Sequence, residues 1–323
     1  MKTKTKMSML LACLGLSVAG AVQAANYPAK PITLVIGFPP GGGADSVGRV
    51  YANGLSKLLK QPVVIENKPG AGSTIAAGQV ARAAADGYTL YLGNSSVMGS
   101  DSVLYTVGYT PQDFRPVARL TTAPMILIAS KKSGIASVND LVERAKKAPG
   151  TINVASSGNG VITHLAAVEF MNVSGVKLMH IPFKGGAAAT QSVAAGDTDV
   201  SFATAPSART AIDTGKAIGL GITTSAPSGV IPEYRPIAGQ GVPGYNISNW
   251  WGIFVPKGTP DSVVDVLFKA TNEVLADESV KRSLATSFEE VTPSKSVQEF
   301  VEFARREGDQ GLRLAKESRA TAN

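Results

Sequence analysis

Two stretches of the sequence carry the residue types that hold an anion without a cation. Ile36-Gly37-Phe38-Pro39-Pro40-Gly41-Gly42-Gly43-Ala44-Asp45 runs from the end of an apolar strand pattern through a glycine-rich turn into a helix start. Glycine lets a ligand approach the backbone, and the unpaired N–H groups and dipole of a helix N-terminus favour negative charge. Ser156-Ser157-Gly158-Asn159-Gly160, followed by Val161, Ile162, Thr163 and His164, repeats the arrangement in the other half of the chain, with hydroxyl donors added. Two such loops would hold one small molecule across a cleft. A plainer reading makes both ordinary strand-to-helix turns, with Asp45 complementing the dipole and Ser156 or Ser157 capping a helix. The first loop is neither Gly-x-Gly-x-x-Gly nor a Lys-Ser/Thr phosphate loop, so nucleotide binding has no support.

Three smaller candidates sit at equivalent places after strand patterns: Asn94-Ser95-Ser96, Phe183-Lys184-Gly185-Gly186, and Thr204. Each has an alternative as loop chemistry. Gly-x-Ser-x-Gly and His-Glu-x-x-His are absent, and the two histidines, His164 and His180, are too few to announce a metal site. Ser156 with His164 would be the nucleophile and base of a hydrolase or lyase, but their spacing has no triad context. His164 reads instead as a structural histidine or a pocket wall. No cofactor is called for, and binding without chemistry is the expectation.

The elements that must position these loops follow from hydropathy. Apolar strand-like runs at 32–37, 63–66, 88–93, 124–129, 152–156, 177–181, 200–204 and 217–223 alternate with amphipathic runs, the pattern of an α/β protein with mainly parallel sheets. Residues 44–59 form a helical stripe through Val47, Tyr51, Leu55 and Leu58. Ser137-x-x-Asp140 opens another helix like a capping box; further helices are expected from the 160–163 region to about 173 and over 187–195. From Asp261 to Ala315 the patterns are helical with no clear strand. The runs 113–130 and 250–256 are long and extended, as crossovers between two lobes would be. The expectation is lobe 1 from 25–122 and 252–323, lobe 2 from 123–251, and a ligand cleft between.

Of 323 residues, 44% are hydrophobic and 17% charged, a globular composition. Residues 1–24 read as an export signal: Lys2, Lys4 and Lys6, an apolar run over 7–22, then the small-x-small site Val22-Gln23-Ala24. Removing three lysines from 31 Lys and Arg leaves 28 against 24 acids, a net +4 with no long basic run, which excludes a nucleic-acid partner. Cys13, the single cysteine, lies in that segment, so the mature chain has neither disulfide nor thiol nucleophile. The expected compartment is the periplasm.

Phe38-Pro39-Pro40-Gly41-Gly42-Gly43-Ala44-Asp45, the run 61–94, residues 155–164 and residues 181–202 together resemble the Bug family, the extracytoplasmic solute-binding proteins of tripartite tricarboxylate transporters. The likeness spans nearly the whole mature chain. It implies a type II periplasmic binding fold with two α/β lobes, and a ligand carboxylate gripped between the two pre-helix loops by main-chain N–H groups. Carried onto this chain, those groups are at 41–44 and 157–160, with Asn94, Ser95, Ser96, Phe183 and Lys184 beside them. The implied partners are a small organic carboxylate and two integral membrane transporter subunits, the chain itself being a monomer; some relatives serve signalling. Phe183 and Gly186 depart from the family pattern, which bears on ligand identity. With no acid in either loop beyond Asp45, an amino-acid ligand is disfavoured.

Overall fold

The computed structural model describes residues 27–321; the expected export signal and Cys13 lie outside them. Two sheets carry the chain. In the first, β1 (Ile32–Ile36) lies between and parallel to β2 (Val63–Asn67) and β3 (Thr89–Gly93). Antiparallel strands β4 (Phe114–Ala123) and β10 (Asn249–Pro256), with the two-residue β11 (Glu290–Val291), complete the order β11-β4-β10-β3-β1-β2. In the second, β5 (Met125–Ser130), β6 (Asn153–Ser156), β7 (Met179–Pro182), β8 (Val200–Thr204) and β9 (Ala217–Ile222) adopt the order β7-β6-β8-β5-β9.

Strand periodicity builds a core on both faces of each sheet. Leu34 and Ile36 of β1 join one buried cluster and Val35 the opposite one; Leu127 and Ile126 of β5 divide in the same way. The tandem Trp250-Trp251 splits its rings between the two faces of the first sheet for the same reason. This corrects one expectation. The run 250–256 is not a crossover but a central strand, registered on β4 and β3, and the chain returns to the first sheet earlier, between Ile222 and Asn249. The run 113–130 is also two strands, broken at Pro124, with β4 in one sheet and β5 in the other. Proline cannot donate to a ladder, so the break falls there.

The helices follow their strands. They are α1 (Gly43–Leu59), α2 (Thr74–Ala81), the single-turn α3 (Ser95–Met98) and α4 (Asp101–Leu104), α5 (Val138–Lys147) and α6 (Ile162–Ser174). Then come α7 (Gly186–Ala195), α8 (Ala205–Asp213), α9 (Asp261–Ala276), α10 (Glu278–Ala285) and α11 (Val297–Thr321). The α1 stripe buries Val47, Tyr51 and Leu55. At α5, Ser137 Oγ accepts from the Asp140 N–H at 3.1 Å, while the Asp140 carboxylate reaches the Ala136 N–H at 2.9 Å, one residue before the cap.

The last helix differs from expectation in reach. Phe300 and Ala304 pack in the first sheet's core, but Leu314, three turns on, is buried in the second sheet's core. Arg313 pairs with the buried Glu169 of α6 at 2.8 Å, and Gln310 bonds both Glu169 and the Asn246 carbonyl. A helix of 25 residues is about 37 Å long, enough to span both lobes.

Candidate functional site

Four of the helices that follow strand carboxyl ends supply wall residues at one place: α1 after β1, α3 after β3, α6 after β6 and α8 after β8. Ligands of open α/β sheets bind at such ends. A cavity of about 510 Å³ opens there between the sheets. From the first loop, Phe38, Gly42, Gly43 and Ala44 line it, whereas Pro40, Gly41 and Asp45 do not. Asn94, Ser95 and Ser96 line it from β3, and Thr204 from β8. From the second loop only Gly160 does, continued by Val161, the N-cap of α6, and by Ile162. Ser156, Ser157, Gly158, Asn159, Thr163, His164, Phe183 and Lys184 are not among the lining residues.

The reason lies in where the loop N–H groups go. The Gly41 N–H donates to Asp45 Oδ2 at 2.9 Å, that of Ser157 to Thr163 Oγ1 at 3.0 Å, and that of Gly158 to Ser156 Oγ at 3.2 Å. The Gly160 N–H donates to His164 Nδ1 at 3.0 Å. Four of the amides that the sequence marks as ligand donors therefore serve the loops' own shape. Neither serine caps α6 either; its N-cap is Val161, with no side-chain cap. Gly43, Ala44 and Ile162, in the first turns of α1 and α6, remain among the lining residues.

Asp45 fixes the first loop. Its carboxylate accepts from Arg49 Nε at 2.8 Å, from Gly41, and from Asn67 Nδ2 at 2.9 Å; the same Asn67 amide donates to the Phe38 carbonyl. The Arg49 hydrogen bond is the main reason its pKa falls to about 2. Arg49 also offsets the negative charge that Asp45 brings to the first turn of α1.

His164 is 1% exposed and stacks on His180, with centroids 3.7 Å apart and planes 5° apart. Burial first, and the His180 ring second, lower its pKa to about 4, so it is neutral at pH 7. Ser156 Oγ lies 2.6 Å from His180 Nε2, not beside His164, and Ser156 is fully buried. The serine–histidine pair is a packed unit beneath the loop, with no lining surface from which to attack a ligand.

Sequence reasoning missed a second group of wall residues. Asp101 and Glu289 line the cavity and are 2% and 4% exposed. Tyr109 donates to Asp101 Oδ2 at 2.7 Å. Thr121 and the Trp251 indole donate to Glu289 at 2.6 and 3.3 Å. Burial raises these acids to about 6 and about 7. Residues 287–289, also in the wall, run across from the first lobe. Ser287 Oγ lies 3.0 Å from Ser46 Oγ of α1, Phe288 packs on the second lobe's core near the Arg209 guanidinium, and Glu290 accepts from Ser228 and the Gly229 N–H. Phe288 holds a left-handed φ of +59°. No pattern around 286–290 marks this strap, whose partners are distant in sequence.

Two lobes whose helix N-termini converge on an interlobe cavity define a solute-binding protein. The chain matches the tripartite tricarboxylate transporter family receptor model over residues 47–318 and belongs to that family. It is 32% identical to the Bordetella pertussis protein BugT over 287 residues, covering 86% of this chain and 88% of the relative. Among solved structures, a Polaromonas solute-binding protein of the same family is 28% identical with a TM-score of 0.79, over 90% of this chain and 99% of that one. A Rhodopseudomonas palustris protein solved with adipate is 30% identical with a TM-score of 0.76, over 90% of this chain and 98% of that one.

Proposed function

We propose that this chain captures a small organic carboxylate in its interlobe cavity, in the periplasm, and hands it to the membrane subunits of a tripartite transporter. One observation carries the reading: the first turns of α1 and α6, one from each lobe, line a single cavity to which no Lys, Arg or His contributes. Main-chain dipoles supply the positive potential there, and a ligand held between lobes couples binding to closure. The adipate in one relative supports a carboxylate as the class. The buried Ser156–His180 pair, away from the cavity lining, favours binding over hydrolysis.

Thermal unfolding across a panel of carboxylates tests the reading, since a ligand bound only by the native state raises the midpoint. A midpoint unmoved by every acid tested would reject it. Lys184→Met separates the helix-end grip from a grip by one long cation. The exposed Lys184 is absent from the cavity wall, so the variant is expected to keep its affinity within about twofold, less than 0.5 kcal/mol.

A further inference from the structure

The charge and shape of the cavity narrow the ligand class. Two helix N-termini at about half an elementary charge each supply about one positive charge, which balances one carboxylate. A third helix, α8, also starts in the wall; Pro206 removes one of its N–H donors, and its dipole adds about half a charge more, still less than two buried acids oppose. Against this stand two buried acids, Asp101 and Glu289, and no lining cation. A second ligand carboxylate would enter a low-dielectric space that already holds two carboxyl groups and has no positive charge left to meet it. Burial raises these acids only to about 6 and about 7, so above pH 7 both carry negative charge that opposes a second ligand carboxylate.

The remaining wall is largely apolar. Phe38 and Trp251 meet edge to face with centroids 5.5 Å apart, Phe288 and Tyr105 add two more aromatic side chains, and Leu165 and Met125 contribute aliphatic surface from the second lobe. A volume of about 510 Å³ is larger than a four-carbon acid needs and suits a ring. Resting on the carboxylate-capture reading above, we infer that the ligand is a monocarboxylate with an apolar, ring-bearing body, its single acid group at the α1 and α6 first turns and its ring against Phe38, Trp251 and Phe288. Dicarboxylates and tricarboxylates are selected against by charge.

Isothermal titration of the exported protein with benzoate, phenylacetate and cyclohexanecarboxylate, against adipate, malate and citrate, tests this. At least one ring-bearing monoacid is expected to bind ten times or more tighter than every polyacid, and benzamide at least ten times more weakly than benzoate. If a polyacid binds as tightly as the best monoacid, carboxylate capture stands and this inference is overturned. If no acid binds, both fall. Glu289→Gln and Asp101→Asn, each checked for native circular dichroism, probe the cause. At pH 8, where both acids are ionised, either folded variant is expected to raise adipate affinity at least tenfold; an unchanged ratio of monoacid to diacid affinity in both removes the charge argument. Phe288→Ala is expected to weaken the best ring-bearing acid at least fivefold and adipate less than twofold; equal losses would mean that the ring does not rest there.

Discussion

Gly42 and Gly160 separate two uses of glycine that look alike in the sequence. Gly42 has an ordinary extended backbone, and a Cβ there would meet only the Pro39 carbonyl oxygen at 3.6 Å, so its conformation does not demand glycine. Gly160 has φ +72°, and a Cβ would lie 2.6 Å from Leu104 of the opposite lobe. Both strain and interlobe contact act at the second position. Gly160→Val is therefore expected to abolish calorimetric ligand binding while far-ultraviolet circular dichroism stays native, and Gly42→Ala to fold with an unchanged unfolding midpoint. If Gly160→Val binds with native affinity, the lobes do not need that approach. Asp45, read from sequence as dipole-complementing, has the wider job of closing the loop on Gly41, Asn67 and Arg49.

Among elements, α11 packs on both lobes. Leu314 is fully buried in the second lobe's core although its helix starts on the first. Leu314→Ala is expected to destabilise the protein by about 2–5 kcal/mol, read from denaturant unfolding. A change below about 0.5 kcal/mol would mean that the helix end is not part of that core. Most strands were legible to within a residue or two, because buried strands read as short apolar runs; so were α1, α6 and α7, from their stripes and glycine flanks. The single-turn helices α3 and α4 carry too few residues for a period. The destination of the return strand β10 was hidden because its pairing with β4 is set by contacts more than a hundred residues apart. The two glycine-rich loops were legible as loops but not as donors: side chains two to six residues away take up four of their N–H groups, and no hydropathy pattern records that competition.

For the whole molecule, acid titration gives a test with a definite sign. Glu289 holds its proton to about pH 7 when folded, against an ordinary value of 4.5. Between those values the native state binds more protons than the unfolded chain, so this residue's contribution to stability falls as pH rises from about 4.5 to 7 and is level above that. Asp101 acts in the same direction and His164 in the opposite one, its lowered pKa favouring stability as pH rises from about 4 to its ordinary 6.5. The difference between the wild type and Glu289→Gln isolates the first. Urea midpoints measured at pH 5 and pH 8 should show the variant gaining on the wild type at the higher pH. An equal difference at both values would mean that Glu289 is already ionised in the native state.

The strap at residues 286–290 also sets a clock. Its anchors are divided: Ser287 and Glu289 hold the first lobe, while Phe288 and Glu290 hold the second, and three of the four border the interlobe cavity. For a ligand held behind the strap, departure is expected to require several of these weak contacts to break together, and arrival none. Loosening the strap should act on residence time, leaving arrival nearly untouched. Breaking the Glu290 contact with Ser228 and Gly229 would free the strap from one of its second-lobe anchors and is expected to shorten the dwell of a ligand held behind it.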